Sequence, residues 1–511
     1  MSLCFYLDKG ASLDPDAPCL TLDGVSRTYG EVVELSHAVA RALRRSGVAP
    51  GDKVGILSAN DPVAFSSVFG IARAGAVWCP INPRNAAGET AELLDLFDCS
   101  VLIYQPAFDE LVATIAPDLP SLRTLVRFGP ADGTAQAFDA WLDAARDDPS
   151  EETAPADDVV ALVGTGGTTG RPKGVMLTDR NIEVMSAITL MSYPFGERPV
   201  YLALAPLTHA AGVLCFPVLA RGGEVVIMAK PDVARFLELI EAHRVTHTFL
   251  PPTLIYMVLG HEALATTDLS SLQCFWYGAA PMSPTRLAEA LERIGPMAQL
   301  FGQSEAPMMI STMAPADHRR ADGSIHTERL TSAGKPSPLV TVAILGPDGQ
   351  PVPRGERGEI VVRSALVMAG YYRNPEATAE VSAHGWHHTG DIGYLDDEGF
   401  LFIVDRAKDM VITGGFNVYS AEVEQAVMAH DGVRDCAVIG LPDEKWGERV
   451  VAVIQPQPDT TLDADEVIGF VKARVGSVKT PKQVEFWPDL PRSTVGKVLK
   501  ADIRSSLAPQ S

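Results

Sequence analysis

"KVGILSANDPVAFSSVFGIARAGAVWCPI", residues 53 to 81, runs from a short apolar segment through an amphipathic one to a second apolar segment. "ETAELLDLFD" (89 to 98) and "SVLIY" (100 to 104) continue the alternation. Apolar runs this short predict buried strands and the longer amphipathic ones predict helices. The order strand, helix, strand, helix, strand is the signature of a parallel sheet covered by helices. The unit returns in "GEVVIM" (223 to 228), "VARFLELIEAHR" (233 to 244) and "VTHTFL" (245 to 250), so the larger part of the chain is predicted to be α/β. Between these blocks, "ARDDPSEETAPADD" (145 to 158) is acidic and rich in Pro and Ala, which predicts a solvated connection.

The texture changes after "GYLDDEGFLFIVDRAKD" (393 to 409), where Asp397-Glu398-Gly399 forms a turn between two short strands. A helix from about Ser420, strands "CAVIGL" and "VVAVIQ", and a helix from about Asp463 predict a small α+β domain. The expected division is 1–404, a connection at 405–409, and 410–511. A chain of 511 residues is too long for one ordinary core, in line with two domains.

At 46% hydrophobic and 21% charged residues the composition is that of a globular enzyme rather than a disordered or fibrous chain. A formal net charge of −22 argues against bulk binding of nucleic acid or anionic membrane, so an anionic ligand needs locally placed cations, with or without a divalent metal. The seven cysteines show no CxxC pairing and read as small buried residues in a reducing compartment. The N-terminus lacks the pattern of a signal peptide. The longest apolar stretch, Ala210 to Ala220, is too short to span a bilayer and contains Pro217. The expectation is a cytoplasmic protein without a transmembrane segment, peripheral membrane contact being left open.

The stretch most suggestive of chemistry is "VGTGGTTGRPKGVMLT" (163 to 178), which leaves the predicted strand Val159 to Val163. Bare backbone, hydroxyls and Lys173 suit a polyphosphate. The P-loop pattern fails here, because Pro172 precedes Lys173 and Gly174 follows it. On its own chemistry the loop reads more readily as a flexible turn between strand and helix. "YGAAP" (277 to 281) and "FGQSEAP" (301 to 307) follow strand-like runs and should lie at strand ends, where open α/β sheets bind ligands. Taken singly, Tyr277 and Phe301 read as core aromatics and Glu305 as a solvated acid. In "WHHTGD" (386 to 391), Asp391 has two oxygens suited to adjacent ribose hydroxyls. "PRSTVGKVLK" (491 to 500) sets Lys497 behind a glycine. His243 and His247 lack the glutamate of a zinc-protease pattern and are not read as a metal site, and His387 and His388 read as structural.

Together and in this order, "TGGTTGRPKG", "PLTHAAG", "YGAAP", "FGQSE", "GWHHTGD", "DRAKD", "GGFNVYSAEVE" and "PRSTVGK" resemble the superfamily of AMP-forming acyl-CoA synthetases, adenylation domains and luciferases over nearly the whole chain. The resemblance implies a large multi-layer N-terminal adenylate-forming domain and a small mobile C-terminal domain. It implies ATP, Mg²⁺ and coenzyme A, with acyl-AMP formed first and its acyl group then passed to the thiol. Thr165, Gly167, Thr168, Thr169, Gly170, Lys173 and Gly174 match the phosphate loop. Glu305 matches the Mg²⁺-binding acid and Ser304 the hydroxyl that reaches the α-phosphate. Tyr277, Gly278, Ala279, Ala280 and Pro281, with Phe301 and Gly302, would border the adenine, and Asp391 and Arg406 the ribose.

Lys497 matches the lysine that bridges the substrate carboxylate and the α-phosphate, Lys408 the hinge, and Gly415 the pantetheine path. His209 and Gly212, with Ala210, Ala211, Pro307, Met308 and Met309, would line an apolar acyl pocket with some room. Two positions depart from the usual pattern: Gly166 stands where Ser is common, and Ser304 where Thr is. The expected substrate is a medium or long fatty acid or a bulky ring-bearing acid. The competing readings are a carrier-loading adenylation enzyme, a light-emitting relative and a non-catalytic nucleotide binder. No nucleic-acid partner is expected, and a homodimer is left open.

Overall fold

The computed structural model describes residues 2–149, 158–165, 172–207, 210–414, 416–443, 445–458, 460–493 and 498–507. Among them four sheets organise the chain. The opening stretch builds the middle of an eight-stranded sheet, in which Lys53–Leu57 lies between Val77–Ile81 and Cys99–Tyr104, all parallel. The helix Pro62–Arg73 joins the first two of these strands. Its start is written in the sequence: Asp61 Oδ1 accepts from the N–H groups of Val63 (2.8 Å) and Ala64 (2.9 Å), and Pro62 supplies the first helical position. A nine-stranded sheet has a parallel centre made by Glu224–Ile227, Val200–Ala203, His247–Leu250, Cys274–Tyr277 and Met297–Gln303.

Strand periodicity explains how the two sheets stack. Val225 and Ile227 point into an interior shared with Val54, Ile56 and Ile103 of the other sheet, whereas Val226 packs outward on Phe236 and Ile240. Leu57, Leu102 and Leu162 face the opposite way, onto Leu93, Leu94 and Phe97. The shared interior also holds residues of the helices Tyr29–Arg45, Pro62–Arg73, Asp179–Ser192 and Ala210–Ala220. The layers therefore run helix, sheet, helix, sheet, helix, the multi-layer α/β architecture expected. Ala210–Ala220 is the apolar stretch singled out above; it is a core helix, with Leu214, Cys215, Phe216, Val218 and Leu219 inaccessible to solvent. No helix among the described residues is long and apolar enough to cross a membrane. All seven cysteines are free and buried.

One local expectation is overturned. The Gly/Thr loop does not lead from strand to helix: Val159–Thr165 pairs antiparallel with Lys173–Thr178, and Thr165 faces Lys173 across the hairpin. "KGVMLT" is a strand because Val175 and Leu177 alternate into the interior. The helix waits for Thr178, whose side chain accepts from Asn181 N–H in a capping box. The start of a helix dipole is thus a whole strand away from the loop, unlike the P-loop arrangement.

A four-stranded antiparallel sheet follows, built from Thr341–Leu345, Gly358–Arg363, His387–Leu395 and Leu401–Arg406. Beyond the single turn Ala407–Asp409, the smaller C-terminal part centres on the hairpin Val433–Asp443 and Gly447–Pro456. Val438, Val450 and Ala452 pack on Val423, Val427 and Val467 of the helices Ser420–Met428 and Ala464–Lys479, while Ile439, Val451 and Val453 pack on Ile503. This part is tied back across the turn. The buried Asp405 carboxylate accepts from the N–H and the hydroxyl (2.9 Å) of Ser420, and Lys500 Nζ donates to Ser420 Oγ (2.6 Å) while pairing with Glu424 (2.7 Å). Burial raises the Asp405 carboxyl above its ordinary value, against the pull of Lys500.

Candidate active site

The expected site residues gather where strands of both large sheets end. Cys274–Tyr277 runs out into Gly278, and Ala279, Ala280 and Pro281 lie exposed beyond it. Ala279 holds a φ of 66°, a left-handed backbone that non-glycine residues seldom adopt. The bareness of Gly278 serves the fold rather than a ligand: a Cβ there would meet the Leu300 carbonyl oxygen at 2.5 Å. Tyr277 departs from the expectation that it borders the adenine. Its ring is 1% exposed in the outer core, and its hydroxyl donates to His318 Nε2 (2.9 Å). His318 donates through Nδ1 to the Ala314 carbonyl (3.0 Å), and burial lowers its pKa to about 4.

The next strand, Met297–Gln303, carries half-buried Phe301 and Gly302 and turns through Ser304 and Glu305 into Ala306–Met313. The Glu305 carboxylate is half-buried, and its Oε1 accepts from the Tyr371 hydroxyl at 2.7 Å. Lys173, at the start of the strand that leaves the Gly/Thr loop, sets its ammonium over the Tyr371 ring, 4.8 Å from the centroid. Burial first and Glu305 second push the Tyr371 phenol far above its ordinary value, so the hydroxyl is a proton donor at any working pH. A loop lysine and a turn glutamate from different sheets are thereby assembled around one tyrosine.

Beside this corner, His387 Nε2–H donates to Gln303 Oε1 (3.0 Å) and Gln303 Nε2 donates to the Thr389 carbonyl (3.2 Å), so the acid-bearing turn is stitched to the four-stranded sheet. Burial lowers the His387 pKa, keeping it neutral. His388 Nδ1 bonds Glu359 (2.8 Å), and both histidines are structural struts. His247 is equally enclosed, bonded to Thr246 Oγ1 (2.7 Å) and the Pro194 carbonyl (2.8 Å). Two residues beyond Thr389, Asp391 lies directly across from Arg406, with Oδ1 2.7 Å from Nε. The Asp391 side chain is 4% exposed and that of Arg406 44%, so the pair reaches from interior to surface. Lys408 also faces Asp391. Burial, with Arg406 nearby, draws its ammonium below the ordinary value, against the pull of Asp409 and Asp391.

The acyl pocket expected around Gly212 is less open than its small residues suggest. A Cβ on Gly212 would lie 1.9 Å from the Leu207 carbonyl oxygen, so the space it leaves is filled by backbone. Pro307 is buried and Met308 half-buried, the latter with a φ of 62°. Gly167, Thr168, Thr169, Gly170, His209, Gly415 and Lys497 lie outside the described residues. Sequence reasoning missed Tyr371, whose stretch "AGYYRNP" carries no signal beyond a glycine before two aromatics, and Gln303, which stood inside a quoted motif.

A family model described as AMP-binding enzyme matches residues 7–372, and one described as AMP-binding enzyme C-terminal domain matches residues 422–497. The chain belongs to the AMP-binding enzyme family. It is an adenylate-forming ligase, and its relatives span several acids. Medium/long-chain-fatty-acid–CoA ligase FadD8 of Mycobacterium tuberculosis is 38% identical over 503 residues, 96% of this chain and 87% of that one. Feruloyl-CoA synthase of an Amycolatopsis species is 38% identical over 498 residues, 97% of each chain. Among solved structures, the amide bond synthetase McbA from Marinactinospora thermotolerans superposes with a TM-score of 0.90 at 31% identity, covering 99% of this chain and 100% of that one.

Proposed function

We propose that this ligase activates a medium- or long-chain fatty acid or a bulky ring-bearing carboxylic acid with ATP and passes the acyl group to coenzyme A in the cytoplasm. The observation that carries the reading is the corner where Lys173 and Glu305, from separate sheets, converge on Tyr371 beside the exposed Ala279–Pro281 edge. Relatives acting on fatty and ring-bearing acids at equal identity support both substrate classes.

A carboxylate attacks a polyphosphate slowly because like charges repel, so the site has to supply positive charge where the α-phosphate and departing pyrophosphate gain negative charge. Lys173 reaches the phosphates from the Gly/Thr hairpin. The Glu305 carboxylate is a hard oxygen donor suited to Mg²⁺. Among the described residues no cluster of three or more His, Cys, Asp or Glu forms a metal cage, which fits an ion held by one carboxylate and the substrate phosphates. When bound, Mg²⁺ supplies charge neutralisation at the phosphates. Asp391 accepts from the ribose hydroxyls, Arg406 steadies its carboxylate, and Ala279–Pro281 with Phe301 border the base.

Lys497 joins the substrate carboxylate to the α-phosphate during adenylation. The small domain then turns about Lys408, withdrawing Lys497 and presenting Gly415 to the thiol path. Lys497→Ala is expected to abolish adenylation and spare thioester formation from preformed acyl-AMP, and Gly415→Leu to do the reverse. Equal loss in both half-reactions would sink the two-pose reading.

The decisive test is pyrophosphate release from ATP with Mg²⁺ across a panel from acetate to long-chain, aromatic and polycyclic acids, each with and without CoA. Release that quickens with CoA and yields AMP and an acyl-CoA mass supports the proposal. Acyl-AMP that accumulates without reacting with CoA would move the acceptor to a carrier protein or an amine.

A further inference from the structure

We propose that Tyr371 is a positioning residue that holds Lys173 and Glu305 apart and pre-aimed for the nucleotide, a role that rests on the reading of Glu305 as the metal-binding acid. The backbone around it is fixed on two sides. On one side Ala369 N–H donates to the Met176 carbonyl (3.0 Å) and Tyr372 N–H to the Gly174 carbonyl (2.7 Å), with Tyr371 opposite Val175, so the segment is zipped to the strand that begins at Lys173. On the other side Met368 N–H donates to the Glu305 carbonyl (2.7 Å), tying the same segment to the turn of the other sheet. Thr378 Oγ1 accepts from Tyr371 N–H (2.9 Å). Four residues of backbone thus set the distance between lysine and acid, and the one side chain between them is Tyr371, 6% exposed.

The physical need for such a spacer follows from the charges. A half-buried ammonium and carboxylate this close would gain more by pairing directly than they do in water, and nucleotide and metal would then have to break that pair. The aromatic face gives Lys173 an attraction that is real yet weaker than an ion pair. The hydroxyl gives Glu305 a charge-assisted hydrogen bond through one oxygen only, which restrains the carboxylate while leaving it an anion. Both partners are held in place and both keep their charge.

The experiment separates this role from ordinary packing. Tyr371→Phe keeps the ring and removes the hydroxyl; Tyr371→Leu removes both; Glu305→Gln is the control for the acid. Each protein is titrated calorimetrically with ATP in excess Mg²⁺ and with ATP in EDTA, and Mn²⁺ binding in the presence of ATP is followed by electron paramagnetic resonance. Tyr371→Phe is expected to lose about tenfold in affinity for metal-bound ATP and in Mn²⁺ binding, the scale of one hydrogen bond to a charged group, with metal-free ATP affinity and melting temperature held. Tyr371→Leu is expected to weaken metal-free ATP as well, because Lys173 loses its seat. If Tyr371→Phe binds metal-bound ATP as the parent does, or loses both forms of ATP equally, the proposal is overturned while the reading of Glu305 stands. If Glu305→Gln leaves metal-dependent binding intact, the acid itself has been misassigned and the proposal falls with it.

Discussion

Two corners of the site each set an acid against a base, and they are built in opposite ways. At the ribose corner Asp391 and Arg406 touch directly, 2.7 Å apart on neighbouring strands. At the phosphate corner Lys173 and Glu305 come from distant segments and have Tyr371 between them. The direct pair suits a group that stays anionic and accepts from neutral hydroxyls, since Arg406 keeps the Asp391 carboxylate ionised and aimed. The spaced pair suits a ligand that brings both signs of charge, because phosphate needs the lysine and a cation needs the acid at the same moment. Contact fixes one partner for the benefit of the other, whereas separation keeps both available.

The sharpest way to break the comparison is at the acid of the spaced pair. Glu305→Ala is expected to lower pyrophosphate release about 10²- to 10³-fold, the scale of several kcal/mol of transition-state charge stabilisation, with the substrate acid's KM little changed. A loss confined to KM would make Glu305 a mere contact. At the direct pair, Asp391→Ala is expected to raise KM for ATP by about 10- to 100-fold, as for lost hydrogen bonds to a charged group. It should also erase any preference for ATP over 2′-deoxy-ATP, and a preference that survives the substitution would remove Asp391 from the ribose.

Smaller effects come from the enclosed histidines that brace these corners. His247 and His318 both have pKa values lowered by burial to about 4. Below about pH 6.5 the unfolded chain takes up protons that the folded one refuses, so their contribution is complete above that pH and is lost as pH falls towards 4. Each is expected to cost about 1 kcal/mol by pH 5.5, read as a falling melting temperature between pH 7.5 and 5.5. A flat profile would mean that these rings are solvated. Smallest of all is Arg406→Ala. Its partly exposed guanidinium and the nearby Lys408 limit the stability change to less than about 1 kcal/mol, measured by urea unfolding.

The strands and helices were legible because each is a local pattern: Val225, Val226 and Ile227 announce which face is which without reference to anything else. Asp391 and Glu305 were legible as members of an ordered set of motifs. Tyr371 was not, since its meaning arises only when residues near 173, 305 and 371 meet, and a buried tyrosine looks like core from the sequence. Gly212 and Gly278 show the converse error. Absence of a side chain is visible in a sequence, but what fills the space is not, and here neighbouring carbonyls fill it. The Gly/Thr loop misled for a similar reason: glycines mark a turn, but the next segment is a strand because it has a partner, not because of its composition.

The segment that carries Tyr371 has a second consequence, for the molecule's behaviour in a crowded solution. Gly370–Tyr371 is the terminal strand of the eight-stranded sheet, lying over the outer edge of Lys173–Thr178, and the far edge closes with the equally brief Gln136–Ala137. One edge of the nine-stranded sheet likewise stops at Lys335–Pro336, where a proline has no N–H to offer. Two large sheets that would otherwise present long rows of unpaired backbone groups therefore finish in edges too short to template another chain, a guard against edge-to-edge aggregation.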